Sequence, residues 1–450
     1  MDPTLLLSML IAAVAAILLY TFIGFIPGTD ETSVLVPVTL ALALAGVDPA
    51  VLLTFFIAAI VTLNLTNAIP TALVGLPGGV LSAPMMEHSL YLKSQGRAAE
   101  TIKKMAAGSA IGTLIAIPVS LVIATAIAPY ADTLREYGTL LFVGGAVLLA
   151  LLGANRLLSL IAIIPMSLLF QGLLSLYRDQ GVIPQDGNIS VSFFLGITIG
   201  PLLVSVLGLL NRTSRENLPR HAATTVDISR RNLRGQSLAP NKILTKGETV
   251  RTGLWSLIST PLFFLSPVGL TFLLGEGAAG RSGDRTTRAN RAVAGMNGVA
   301  HASYLSGTII PLLAIGIPLS PVAIGPAQAL FNAPPALTLD NNLHHLLSTP
   351  LFIAAVVLGA VLALGLTYVI AVRYSYRITY IVMRYIPHEA VLGLFIGFIL
   401  LLAYLDAGVA NIFGVLLVGV ACGTLNKLGV GYGVQFMTLY ASPWIVQNLL

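Results

Sequence analysis

Charge is scarce in this sequence. Only 9% of its 450 residues are Asp, Glu, Lys or Arg, against about 25% in an average soluble protein. That shortage excludes a water-soluble fold of this size, whose surface would need far more charge. A single cysteine, Cys422, excludes an intrachain disulfide. Its apolar setting, GVLLVGVACG, suits a small residue at a helix contact. No G-x-x-x-x-G-K-(S/T) loop is present, which argues against built-in nucleotide hydrolysis. There is no H-E-x-x-H, no D-D-x-x-D and no nucleophile–base pair at telling spacing, so an intramembrane enzyme has little to stand on. His344-His345 falls in a polar loop and reads as surface.

What is present is apolar: 56% of the chain, gathered into long blocks. They run over 5–25, 105–128, 140–152, 158–174, 191–210, 254–274, 351–372 and 392–405. Most approach the roughly 20 residues a helix needs to cross about 30 Å of hydrocarbon. Barrel strands of about 10 alternating residues do not match them. The expected fold is therefore all-α and polytopic, with roughly 10 to 12 crossings once the Gly/Pro-interrupted blocks are included. Met1-Asp2-Pro3-Thr4 carries no basic region before the first block, which reads as a retained helix rather than a cleaved signal.

The few charges are unevenly placed. Arg212 to Arg251 holds nine basic residues against Glu216, Asp227 and Glu248. Lys93, Arg97, Lys103 and Lys104 form a second basic cluster. The positive-inside rule puts both in the cytoplasm, and four apolar blocks between them return the chain to the same side. These loops account for the net charge of +6 without a nucleic-acid partner. The polar stretch divides the chain into an N-terminal membrane repeat (1–210), a basic linker (211–250) and a C-terminal membrane repeat (251–450).

The word repeat rests on a spacing. Ile69-Pro70-Thr71-Ala72-Leu73-Val74-Gly75-Leu76-Pro77 and Ile310-Pro311-Leu312-Leu313-Ala314-Ile315-Gly316-Ile317-Pro318 share I-P-x-x-x-x-G-(L/I)-P, 241 residues apart. The same offset sets Pro27-Gly28 beside Pro267-Val268-Gly269. Proline removes a backbone donor and glycine weakens a helix, so Pro70, Gly75, Pro77, Gly78 and Gly79 predict a break at membrane depth. Unpaired backbone there is tolerated only inside protein or beside a wet cavity. Paired interruptions in two halves point to a transporter's binding site. Ordinary kinked packing helices are the plainer alternative.

Polar residues gather around these breaks. Asn64, Asn67 and Ser82 flank the first, and Ser303, Ser306 and Ser320 flank the second. Amides and hydroxyls bind anions or Na⁺, and they also stitch helices together. Asp30 and Glu31 follow Pro27-Gly28-Thr29, where an acid in the membrane suits a coupling cation or a proton relay and an acid in a solvated loop does not. His301 divides in the same way between titration and packing.

A resemblance then becomes specific. Gly24-Phe25-Ile26-Pro27-Gly28, Pro37-Val38-Thr39 and Gly46-Val47-Asp48-Pro49 resemble the opening of the large membrane subunit of tripartite tricarboxylate transporters, the TctA-type permeases. Leu76-Pro77-Gly78, Lys93-Ser94-Gln95-Gly96-Arg97-Ala98 and Gly108-Ser109-Ala110-Ile111-Gly112 continue the likeness in order, as do Pro201 to Leu209 and Gly307 to Pro318. The chain departs from the family at Leu319, at 298–303, at Val268 and near Glu87-His88-Ser89. The resemblance implies a secondary carrier for di- or tricarboxylates in the cell membrane. It would be driven by an ion gradient of Na⁺ or H⁺, need no other cofactor, and work with a small membrane subunit and an extracytoplasmic substrate-binding protein.

On this reading Pro27, Gly28, Thr29, Asn64, Asn67, Pro77, Gly78, Ser82, Ser303, Ser306, Gly316, Pro318 and Ser320 are candidate substrate-binding positions. Asp30, Glu31 and His301 are candidates for ion coupling. An intramembrane enzyme or a channel without carboxylate transport is the alternative.

Overall fold

The computed structural model describes residues 2–27, 29, 31–75, 78–153, 155–185, 190–210, 240–385 and 388–449. Gly28, Asp30 and Pro77 fall outside these, as do linker residues 211–239. Fourteen helices of nine or more residues carry the fold, and no β-ladder longer than isolated bridges occurs among the described residues. In the first half they are α1 (Pro3–Gly24), α2 (Glu31–Leu44), α3 (Pro49–Leu73), α4 (Met86–Ser94), α5 (Ala98–Ile127), α6 (Gly138–Leu152), α7 (Arg156–Asp179) and α8 (Ser190–Leu210). The second half holds α9 (Lys246–Ser259), α10 (Pro267–Ala279), α11 (Arg285–Ala314), α12 (Thr349–Tyr385), α13 (His388–Lys427) and α14 (Tyr432–Leu449).

Helix starts follow local chemistry. Asp48 accepts from the Ala50 N–H at 2.8 Å with Pro49 behind it, and Asp284 accepts from Thr287 at 3.1 Å. Thr245 and Glu248 close a reciprocal capping box at α9. Each side chain satisfies a backbone donor that the first helical turn leaves unpaired.

Six described helices are long and apolar enough to cross a membrane, and Glu31–Leu44, Gly138–Leu152 and Ser192–Gly208 are shorter apolar helices. α13 is two helical arms, because Ala407 and Gly408 leave helical geometry and Asn411 Nδ2 donates to the Ala403 carbonyl at 2.9 Å. Eight residues of straight helix would hold those groups about 12 Å apart, so the chain bends sharply there. Leu7, Leu114, Val122, Leu157 and Phe413 are exposed, as side chains facing lipid should be.

α3 differs from its neighbours. Its apolar window is 94% buried, against 22–39% for the other five long apolar helices. It runs through the middle of the protein, where Pro70 and the break after it are shielded from lipid. α11 crosses it there, with His301 Nε2 3.4 Å from the Val61 carbonyl. The two run antiparallel: the end of α3 and the start of α11 both meet α4, through Lys93 to Val74 O (2.9 Å) and Tyr91 to Thr286 (3.1 Å).

Glycine brings the two halves of the sequence into one core. A Cβ on Gly108 would lie 2.1 Å from the Ala294 carbonyl oxygen, and one on Gly112 2.1 Å from that of Gly298. α5 and α11 therefore pack in parallel, backbone to backbone. Gly196 and Gly200 of α8 meet Val415, Gly419 and Gly423 of α13 in the same manner. Small residues at four-residue spacing permit such contacts and replace the hydrophobic drive that lipid removes. Where α5 meets α9, Lys104 and Glu248 form a buried ion pair at 2.6 Å.

Candidate functional site

The first break is built by α3. Pro70 O accepts from both Val74 N (2.8 Å) and Gly75 N (3.0 Å), and Gly75 has φ +83°. This left-handed turn ends the helix and favours glycine. The chain then folds back onto α3. A Cβ on Gly78 would sit 2.0 Å from the Asn67 carbonyl oxygen, and one on Gly79 would sit 2.2 Å from Glu31 Oε1. Two bare glycines thus lay the backbone directly over Asn67 and Glu31.

Glu31, the first residue of α2, is the centre of this cluster and only 3% exposed. Its Oε1 accepts from Asn67 Nδ2 at 3.2 Å and from Leu81 N at 3.4 Å. Ser82 Oγ accepts from Gly79 N at 3.1 Å and donates to Gly79 O at 2.8 Å, opening a 3-10 turn over Val80–Met85. Thr29 Oγ1 lies 3.2 Å from Ile26 O and 3.4 Å from Gly78 O. The bond from Asn67 Nδ2 to Glu31 turns its Oδ1 away, and that oxygen is buried without a partner. Asn64 Oδ1 and Thr71 Oγ1, one turn to either side, are also buried and unpartnered. Carboxylate, amide and hydroxyl oxygens are the ligand types a hard cation takes.

The second break repeats the backbone. Pro311 O accepts from Ile315 N (3.1 Å) and Gly316 N (2.9 Å), and Gly316 has φ +80°. Ser320 stands 241 residues after Gly79 and caps the short helix Pro321–Ile324 through Ala323 N at 2.9 Å. Its hydroxyl donates back to Gly307 O at 2.5 Å. Pro318 is buried in this turn. Ser303 and Ser306 donate to Ala300 O and Ser303 O of their own helix, at 3.2 and 3.3 Å.

The α2 start joins the breaks. Glu31 faces the first, and Thr32 Oγ1 lies 3.7 Å from where a Cβ on Gly325 would stand, just past the second break's short helix. Ser33 donates to Thr198 O at 2.9 Å, tying the same turn to α8. Of the expected positions, Thr29, Glu31, Asn67, Gly78 and Ser82 come together, with Asn64 one turn away. Ser303, Ser306, Gly316, Pro318 and Ser320 belong to the second break. His301 sits at the crossing of α3 and α11, its Nδ1 3.1 Å from Asn297 O.

Other residues enter that sequence reading missed. Lys93 Nζ donates to Val74 O at 2.9 Å, and Arg135 Nε donates to Ile315 O at 2.6 Å. Those two carbonyls are also 241 residues apart. Each helix end, with its partial negative charge, therefore meets a cationic side chain at the same carbonyl. Asn342 Nδ2 donates to Gly316 O at 2.7 Å, and His344 Nδ1 lies 3.0 Å from Leu313 O and 3.2 Å from Leu312 O. His344 is thus not a bare surface residue, although His345 beside it is exposed. Burial, then the charge of Arg135, pushes the His344 pKa down. The repeated I-P-x-x-x-x-G motif was the available signal, because it names the carbonyls left needing a donor.

α3 and α11, each ending in a Pro–Gly break, thus cross inside a helical protein with six helices long and apolar enough to span a membrane among the described residues. The tripartite tricarboxylate transporter TctA family pattern matches residues 10–434, and the chain belongs to that family. This is a family of transporter permease subunits. No curated protein and no solved structure matches the chain.

Proposed function

We propose that the protein is the permease of an ion-driven system that carries a small di- or tricarboxylate across the cell membrane. The two breaks are read as inverted repeats around the crossing of α3 and α11, each end facing a different side. The antiparallel course of those helices and their matched Pro–Gly ends support this. Transport proceeds by alternating access, with one half rocking against the other around a site at the start of α2.

The observation that carries the coupling is the buried Glu31 beside the unpartnered Asn67 Oδ1. An acid at membrane depth is costly unless it does something there. Glu31 binds the coupling cation, Na⁺ or H⁺, and Asn67 and Asn64 supply further oxygens. Backbone N–H groups of the Gly78–Leu81 turn, with Thr29 and Ser82, receive a substrate carboxylate once the cation has neutralised Glu31 and Leu81 N is released from it. This order explains why an anion site holds a carboxylate of its own. A small membrane subunit and an extracytoplasmic substrate-binding protein complete the system.

The test is uptake of labelled citrate and of smaller dicarboxylates by proteoliposomes, with the binding protein supplied. Saturable uptake that follows an imposed Na⁺ or H⁺ gradient is the expected result. No saturable carboxylate uptake under either gradient would overturn the reading.

A further inference from the structure

A cavity of about 410 Å³ opens beside the second break, lined by Arg135, Thr139, Phe142, Leu339, Asp340 and His345 among others. It lies beyond the far end of α5 from the Lys104–Glu248 pair, and Lys104 is 23 residues from that end at Ile127. At 1.5 Å per residue this part of α5 alone separates the two by about 35 Å, which places the cavity on the face opposite the basic segments.

Arg135 lies on its wall with one nitrogen uncommitted. Nε donates to Ile315 O, and Nη1 is 3.8 Å from an Asp132 carboxylate that is fully exposed. Nη2 is buried and has no hydrogen-bond partner. The guanidinium as a whole is partly exposed, and a carboxylate oxygen is the partner that its geometry favours. His345 adds a second donor. Its Nδ1 accepts from Asn342 N at 3.3 Å, so the neutral ring carries its proton on Nε2. Thr139 brings a hydroxyl, and Phe142 and Leu339 offer apolar surface for a carbon skeleton.

We propose that this cavity is a second carboxylate site, separate from the cluster at Glu31, which takes a small di- or tricarboxylate at the outer face through the partly exposed Arg135 guanidinium and His345 Nε2. Asp340 lines the same cavity and repels an anion, which keeps affinity modest, as suits a site that passes its ligand on. The guanidinium that binds the ligand also caps α11, so occupancy bears directly on the second break. The choice of carboxylates as ligand rests on the permease reading; the donor geometry does not.

The test uses Leu339→Cys in the full-length protein in nanodiscs, since native Cys422 is buried. The rate of labelling by a polar thiol reagent is measured with citrate, with succinate and with chloride at equal ionic strength. Saturating citrate or succinate should slow labelling about tenfold, the change expected of a mostly occupied site, while chloride leaves it unchanged. Arg135→Lys, which keeps a cation near Ile315 but loses the fork, should remove the protection. His345→Leu, which leaves the Arg135 bond to Ile315 O in place, should weaken it, and Asp340→Asn should lower the concentration required. Protection should persist in Glu31→Gln, so failure of ion-driven transport and failure of this site are separately visible. Labelling indifferent to both carboxylates, or protection equal for chloride or undiminished in Arg135→Lys and His345→Leu, would overturn the proposal.

Discussion

At the first break the chain leaves α3 at Gly75 and returns as Gly78-Gly79 backbone pressed onto Asn67 and the buried Glu31. At the second it leaves α11 at Gly316 and returns on Ser320, and its last carbonyls take bonds from Arg135, Asn342 and His344. The backbone is shared, because proline and glycine recur at one spacing. The chemistry differs, because each break borrows its side chains from elsewhere in the chain: an acid from α2 in one case, an arginine beyond α5 and a loop histidine in the other. In the proposed account the first break handles the cation, and the second tethers a helix end near the outer face.

Exchanging parts between the breaks tests that division. Leu319 stands 241 residues after Gly78, so Gly78→Leu imports the second break's residue into the first. The contact with Asn67 O is with backbone and cannot yield, so carboxylate uptake should fall at least about 100-fold, or roughly 3 kcal/mol. Size-exclusion profiles would show whether the protein still folds; near-normal uptake would erase the distinction between the breaks. Next in size is Gly316→Ala, which forces a side chain to φ +80° with His344 and Arg135 atoms 3.0–3.1 Å away. It should cost about 1–3 kcal/mol, read as a lower thermal midpoint. Gly75→Ala meets the flexible tip of Leu90 instead and should cost less.

Acid should separate the breaks too. The folded pKa of His344 is lowered from 6.5, so its neutral form contributes stability that is fully present above that value. This contribution is lost as pH falls from there toward the lowered value. Hydrogen exchange at residues 312–316 should therefore rise on going from pH 7.5 to 5.5 more than exchange at 71–75, where no histidine caps the helix end. Equal changes at the two ends would count against the assignment. Smallest is Lys93→Met, which removes one cation from a helix end and should cost about 0.5–1 kcal/mol in thermal stability.

Much of this was readable beforehand, for stated reasons. Long apolar blocks report solvent directly, so the helical membrane fold followed from them. The breaks followed from Pro70, Gly75, Pro311 and Gly316, since backbone constraint is local. Which side chains would meet at a break is set by tertiary packing, and sequence left Asp30 and Glu31 as equals, with His301 a further candidate. Burial of Glu31 against Asn67 distinguishes it; Asp30 lies outside the described residues. Arg135 was invisible, because nothing near Ala131–Glu136 signals that this turn returns to Ile315, 180 residues on. Lys93 and Lys104 looked like topology signals alone, yet one caps α3 and the other pairs with Glu248.

The central claim, that Glu31 couples a cation gradient to carboxylate movement, is tested most directly by Glu31→Gln in proteoliposomes, measuring gradient-driven accumulation and substrate exchange side by side. Glutamine keeps the shape and can still accept from Asn67, but it cannot carry the charge. Accumulation of labelled carboxylate should vanish while exchange across the membrane persists. Accumulation at the wild-type level with unchanged cation dependence would contradict the account.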